Sequence, residues 1–125
     1  MIIILTYKLT KETYIEYCRA IRGAFVDQPF RNDFTTYIAR HSDTKKWFAA
    51  IMEREGKAFI NLKCNPFDAD ELRSIYNGIT AAFHMNKWHW ISIHLKSDVS
   101  DELIKQLTLE SFRLTESKKK RQSKI

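Results

Sequence analysis

The spacing of apolar residues predicts a helix near each end of the chain. Thr10 is a good N-cap, and the residues after it carry one apolar stripe at intervals of four, three and four, which is the helical period. Ser100 can cap a second, longer helix in the same way. The two stripes consist of Tyr14, Cys18, Ile21 and Phe25 in the first helix and of Leu103, Leu107, Ser111 and Leu114 in the second.

Between these helices, four segments rich in β-branched and aromatic residues predict strands. They cover residues 35–41, 46–53, 57–64 and 88–95. A short helix is predicted between the last two strands, because Asp68 and Glu71 stand three residues apart, as in a capping box. Residues 26–34 are rich in Asp, Asn and Pro and predict a loop.

Strands that are grouped in sequence and flanked by helices indicate an α+β fold rather than a parallel α/β fold. We expect an antiparallel sheet with the N- and C-terminal helices packed on one face. The third strand alternates, so the second face of the sheet should be at least partly open to water. Its core set is Ala58, Ile60, Leu62 and Cys64, and its second-face set is Phe59, Asn61 and Lys63. Residues 2–5 could form an extra edge strand or a dimer contact.

The length of 125 residues allows one domain, and the distribution of charge along the chain separates that domain from a basic tail. The chain has 21 basic and 15 acidic residues, which gives a formal charge of +6. Five of the basic residues lie in the last eight, and the balance without them is +1. We therefore expect a nearly neutral α+β domain at residues 1–116 and a flexible basic tail at 117–125.

The three glycines leave no room for a nucleotide-binding loop. Gly23 and Gly78 each follow a helical pattern, where a left-handed C-terminal cap favours glycine, and Gly56 is the turn of a hairpin. There is also no nucleophile motif of the G-x-S-x-G type. We therefore expect a protein without catalytic activity.

The cysteines and histidines do not predict a disulfide, a metal site or a cofactor. Two cysteines, Cys18 and Cys64, make no disulfide framework, and both fit buried positions in a reducing cytoplasm. His89 and His94 differ by an odd number of residues, so they point to opposite faces of one strand and cannot easily join His84 at one metal. No apolar run reaches the length of a membrane span, so we expect a cytoplasmic protein without a membrane partner.

One segment, His84-Met85-Asn86-Lys87-Trp88-His89-Trp90, resembles a motif of the MmcQ/YjbR family of small bacterial proteins. The preceding Asn61-Leu62-Lys63-Cys64 and the closing Val99-Ser100-Asp101-Glu102-Leu103 are also similar to that family, so the resemblance covers about residues 11–115. Arg22 and Arg31 depart from it, since family members often have Pro and Gly at these positions.

The resemblance implies a frataxin-like (CyaY-like) α+β sandwich and a DNA-binding role attributed to hairpins that resemble a double wing. It implies no established enzymatic activity. It does not extend to the iron binding of frataxins, because the first helix here is mixed in charge rather than acidic. The motif residues His84, Asn86, Lys87, His89 and Trp90 are interpreted either as a hydrogen-bonded corner or as a site.

Three kinds of partner remain open, of which a small ligand is the least favoured. The first is DNA, held by cations of the hairpin tips and tail and by aromatic and amide groups of the second sheet face. The candidate contact residues are Arg40, Lys45, Lys46, Arg54, Lys57, Asn61, Lys63, Lys87, Trp90, Lys118, Lys119, Lys120 and Arg121. The second is another copy of the chain or another protein, bound by the same aromatic face.

Overall fold

The computed structural model describes residues 8–119, so residues 2–5 and the tail beyond Lys119 lie outside the described residues. Within them the chain forms three helices and six strands. In chain order the elements are α1 (Lys11–Arg19), β1 (Ala24–Asp27), β2 (Tyr37–His41), β3 (Trp47–Arg54), β4 (Lys57–Lys63), α2 (Pro66–Ile75), β5 (Ile79–Ala81), β6 (Trp90–His94) and α3 (Asp101–Leu114). The strands make one antiparallel sheet in the order β1-β2-β3-β4-β6-β5, which confirms the predicted α+β class.

Two strands, β1 and β5, are absent from the sequence prediction. Phe25 was expected on the first helix, but that helix ends at Arg19 and Gly23 turns the chain at φ +87 into β1. Ala24–Asp27 then pairs with β2 inside the region expected to be partly loop. Strands of four and three residues lie at or below the lower limit of about four positions over which alternation can be recognised.

The caps of the N- and C-terminal helices, α1 and α3, lie where the pattern predicts them. Thr10 accepts a hydrogen bond from the Thr13 amide and donates its own amide to the Thr13 hydroxyl, which is a capping box with Thr in place of Glu. Ser100 accepts a bond from the Leu103 amide at 3.1 Å. Helix α2 begins earlier than predicted, because Asn65 rather than Asp68 is the N-cap and Pro66 fills the first turn.

The first face of the sheet carries the hydrophobic core. Partners on adjacent strands, Leu62 with Ile91 and Ile60 with Ile93, point to the same side and are fully buried there. Helix α1 packs against β1 and β2, and α3 packs against β3 and β4. The buried hydroxyls of Tyr14 and Thr108 lie 2.8 Å apart and join the two helices. Helices α1 and α3 therefore cover one face, as predicted.

Ser111 lies on the predicted apolar stripe of α3, but its hydroxyl makes two hydrogen bonds to the backbone of the sheet. Its hydroxyl donates to the Phe48 carbonyl at 2.6 Å and accepts from the Lys63 amide at 2.9 Å. These two backbone groups lie side by side where β3 begins and β4 ends, just beyond the last ladder pair Ala49 and Leu62. The hydroxyl thus inserts between the strands and fixes α3 on the sheet.

Gly78 differs from the expectation of a left-handed cap. Gly23 and Gly56 have positive φ, but Gly78 does not. A Cβ at Gly78 would lie 2.1 Å from the Ser97 hydroxyl, so this glycine is required for space. Gly56 follows Glu55, and both have positive φ, as a two-residue type I′ hairpin turn requires.

Candidate functional site

The second face of the sheet is covered at its centre, contrary to the expectation of an open face. Phe59, Asn61 and Ser92 lie on this face and are 4%, 0% and 2% exposed. The cover is the segment of residues 82–89 that connects β5 to β6. A sequence pattern shows which side a strand residue points to, but it does not show that a loop returns across that side.

Two hydrogen bonds hold this loop on the sheet, and a third joins the two strand side chains that make them. The Asn61 amide donates to the Phe83 carbonyl at 2.8 Å, the Phe83 amide donates to the Ser92 hydroxyl at 3.0 Å, and that hydroxyl donates to Asn61 Oδ1 at 2.5 Å. Asn61 is therefore buried, and both the nitrogen and the oxygen of its side-chain amide are hydrogen-bonded. This corrects its assignment as a residue that contacts nucleic acid, because its polar atoms are already used within the fold.

Beside the loop lies a cleft of ≈ 550 Å³ at the β3–β4 hairpin, which we call the Phe83 cleft. Arg54 and Lys57 form its rim, and they are direct cross-strand partners at the hairpin tip. Met52, Phe59 and His94 are the next row of partners on the same face. The full lining is Arg54, Glu55, Lys57, Phe59, Thr80, Ala81, Ala82, Phe83, His84, Ser92 and His94.

Rings line the floor and wall of the Phe83 cleft. The Phe83 ring meets Phe59 edge to face at 5.7 Å and lies 3.9 Å from the His84 ring. The Arg54 guanidinium lies over Phe83 at 4.9 Å, and the His94 ring lies 5.8 Å from Phe59. His84 is exposed and adopts φ +60, a left-handed conformation that is uncommon for residues other than glycine.

The rest of the family motif forms a compact turn. The Asn86 side chain accepts from the Trp88 amide at 2.8 Å, and the Asn86 carbonyl accepts from the Trp90 amide at 2.9 Å. The His89 carbonyl accepts from the Cys64 amide at 2.8 Å and ties the turn to the end of β4. The segment from Asn86 to Trp90 is therefore a hydrogen-bonded corner, with Asn86, Lys87 and His89 exposed to solvent. The same turn explains why β6 begins at Trp90 rather than at Trp88.

A second group of cations gathers at the opposite end of the sheet. His41 Nε2 lies 2.8 Å from the Thr115 hydroxyl, so the end of β2 contacts the end of α3. The Ser42 amide donates to the Gly23 carbonyl at 2.8 Å, so the segment after α1 meets the same turn. These contacts place five exposed cations at one end of the molecule, and we call this group the basic end. Its members are Arg22, Lys45, Lys46, Lys118 and Lys119.

The two hairpin tips do not lie together. Lys45 and Lys46 precede β3 and Arg54 ends it, so eight strand residues, or about 26 Å, separate them. The remaining candidates are more enclosed than expected. Arg40 pairs with Asp27 at 3.0 Å and lies over Trp47, and Lys63 and Trp90 are half-buried cross-strand partners. Lys120 and Arg121 lie outside the described residues.

The cysteines of the described chain are protonated at neutral pH. Burial raises the pKa of the Cys18 thiol to about 12, and burial together with nearby acidic side chains raises the pKa of Cys64 to about 11. Residues 8–119 hold no cluster of three His, Cys, Asp or Glu side chains that could bind a metal ion. In the same residues, no helix is both long and apolar enough to cross a membrane.

Sequence reasoning missed two residues of these surfaces. Phe83 was not assigned to the second face, because a loop carries no periodicity that shows what it covers. Arg22 was considered only within the mixed charge of the first helix and as a departure from the family pattern. Its position in the basic end depends on the pairing of β1 with β2, and β1 was not predicted.

Known proteins of similar sequence span most of this chain. A family model described as YjbR matches residues 19–114. The uncharacterised protein YyaQ of Bacillus subtilis (strain 168) is 33% identical over 117 residues, which cover 86% of this chain and 98% of YyaQ. The uncharacterised protein YjbR of Escherichia coli (strain K12) is 29% identical over 104 residues, which cover 83% of this chain and 85% of that protein.

Two solved structures have a similar fold. The crystal structure of a protein from Pseudomonas syringae has a TM-score of 0.79 at 30% identity, and the match covers 86% of this chain and all of that one. The crystal structure of Deinococcus radiodurans protein DR2400 has a TM-score of 0.76 at 23% identity, and the match covers 91% of this chain and 86% of that one.

Proposed function

Since this chain belongs to the YjbR family, we propose that it is a non-enzymatic protein that binds DNA weakly through its phosphates. The DNA-binding role is the one that the family resemblance implies. The observation that supports it here is the basic end, where the β2–β3 turn and the C-terminal segment meet. Exposed lysine and arginine side chains release counterions from DNA when they contact phosphates, and this release favours binding.

The proposed contact is one of charge rather than of base recognition. Asn61, the amide best placed by sequence to read a base, is buried, and Trp90 is half-buried. Phosphate contacts position a protein on DNA but carry no sequence information. We therefore propose binding that falls steeply with salt and varies little with DNA sequence.

The test is fluorescence anisotropy with a labelled duplex and a labelled single strand over a series of salt concentrations. The double variant Lys45→Gln/Lys46→Gln removes two cations from the basic end. The matched control, Lys96→Gln/Lys105→Gln, removes two exposed cations elsewhere and leaves the same net charge. If both lysines contact phosphates, the log–log salt slope of the first variant falls by about 1.8, at about 0.9 per phosphate, and the control keeps the wild-type slope.

Two results would contradict the proposal. One is an absence of binding by the wild-type chain even at low salt. The other is an equal loss in both double variants, which would show that net charge alone governs the interaction.

The alternative, self-association or protein binding through the second sheet face, stays a prediction. The centre of that face is occupied by Phe83 and its neighbours. The exposed aromatic residues of the described chain, Phe34, Phe67 and Trp88 among them, lie outside the central rows of that face. The geometry therefore favours DNA binding at the basic end over assembly through this face.

A further inference from the structure

We propose that the Phe83 cleft binds an aromatic phosphomonoester of the size of a mononucleotide. This site is separate from the basic end, which lies at the other end of β3, and the inference does not depend on DNA binding there. The volume of ≈ 550 Å³ lies within the usual range for pockets that enclose small molecules.

The charge of the rim favours an anion. Arg54 and Lys57 stand directly opposite each other across the hairpin, and like charges in that position destabilise a sheet. Only one acidic residue, Glu55, is among those that line the cleft. A phosphate between the two cations would remove this repulsion and accept charge-assisted hydrogen bonds from both.

The floor and wall favour an aromatic group attached to that anion. Phe83 and His84 present a phenyl and an imidazole ring side by side, and His94 adds a third ring near Phe59. Planar bases stack on such rings with little regard to their identity. The Ser92 hydroxyl and the Asn61 amide are bonded to the loop, so they hold the ring wall in place and are not free to select a base.

The left-handed backbone of His84 keeps its ring beside the cleft. This residue is not glycine and does not sit in a hairpin turn, unlike Glu55. Such conformations are strained and persist where the surrounding structure fixes them, often at binding sites. The position of His84 links the family motif to the cleft, whereas Asn86 to Trp90 form the corner behind it.

The experiment is an NMR titration of the full ¹⁵N-labelled chain with adenosine 5′-monophosphate. Adenosine alone and inorganic phosphate alone form the single-component arms, and a short oligonucleotide with a 5′-phosphate tests whether a strand end is the source of the same group. We expect shifts of the amides of residues 54–59, 81–84 and 92–94, and tighter binding of the monophosphate than of either component. A preference for the oligonucleotide or for the free monophosphate identifies the source, and either one supports the site.

Arg54→Gln and Lys57→Gln should each lower the affinity for the monophosphate about tenfold or more, because each removes a charged hydrogen-bond donor. Arg31→Gln makes the same charge change in an exposed loop and should keep wild-type affinity. Both test residues are exposed at a hairpin tip, and the dispersion of each variant's spectrum reports that it is folded. The proposal is overturned if the shifts map to the basic end, if Arg31→Gln loses as much affinity as Arg54→Gln, or if phosphate alone binds as tightly as the monophosphate.

Discussion

At the scale of single residues, two glycines are required for different physical reasons. Gly56 is needed because φ is +76 in a turn where a side chain would have open space around it. Gly78 is needed because the Ser97 side chain occupies the position that a Cβ would take. The backbone amides of Gly78 and Asn77 also donate to Asp98 at 2.8 Å, and these bonds hold the pKa of that carboxyl below its usual value.

This difference predicts that the Ala and Asn variants rank in opposite order of stability at the two positions. At Gly56, Ala should cost about 1–2 kcal/mol of unfolding free energy, and Asn should cost less, because Asn tolerates left-handed backbone. At Gly78, Ala should cost at least about 1–3 kcal/mol through overpacking, and Asn should cost more than Ala, because it is larger. Urea unfolding of the four variants measures this pattern, and a Gly78→Asn variant as stable as Gly78→Ala would contradict the steric explanation.

The same scale shows how far the sequence predicts the candidate site. Alternation in β4 correctly separates Phe59 and Asn61 from Ile60 and Leu62, because strand geometry fixes which side each residue faces. It does not show that Asn61 is buried, since that depends on Phe83, which is distant in sequence and carries no periodic signal. The cations at the hairpin tip were correctly placed in a turn, but their position beside Phe83 depends on the tertiary fold.

At the scale of elements, Ser111 shows why helix α3 lies where it does. Its hydroxyl serves both the Phe48 carbonyl and the Lys63 amide, at the place where the strands lack a direct bond. An apolar residue on the same stripe would pack well but would leave two buried backbone groups without a partner, and each such group costs about 1–3 kcal/mol. The helix is thus docked by polar as well as apolar contacts.

We therefore expect Ser111→Ala to lower the free energy of unfolding by about 2 kcal/mol or more, although it improves helix propensity. Ser74→Ala is the matched control, since Ser74 is exposed on α2 and its hydroxyl only returns to the Glu71 carbonyl. That control should change stability by less than about 0.5 kcal/mol. Chemical denaturation of both variants makes the comparison, and equal stabilities would show that water replaces the hydroxyl at no cost.

The elements themselves were predicted unevenly, and length explains the difference. Helices α1 and α3 and strands β2, β3 and β4 carry enough positions for a period to show, and their caps or turns mark the ends. Strands β1 and β5 are held by their neighbours in the sheet rather than by their own pattern. Both are edge strands, so their absence from the prediction left the order of the central strands unchanged.

At the scale of the whole molecule, charge is distributed between two separate surfaces. The basic end and the Phe83 cleft lie at opposite ends of β3, and several cations outside these regions are paired, as Lys11 is with Glu53 and Arg40 with Asp27. The formal charge of +6 therefore does not describe a uniform field. A duplex at the basic end would meet Lys45, Lys46 and the start of the tail together.

If the proposed DNA binding occurs, this arrangement predicts that the tail strengthens it without being its sole cause. Changing Lys118, Lys119, Lys120, Arg121 and Lys124 to Gln lowers the net charge from +6 to +1. If all five contact phosphates, the salt slope should fall by about 4.5 while measurable binding remains at low salt, because Lys45 and Lys46 are still present. A control with Gln at Lys8, Arg19, Arg31, Lys96 and Lys105 has the same net charge and should keep the wild-type slope. Anisotropy at matched salt distinguishes the cases: complete loss in the tail variant would assign binding to the tail alone, and equal slopes in the two variants would assign it to net charge.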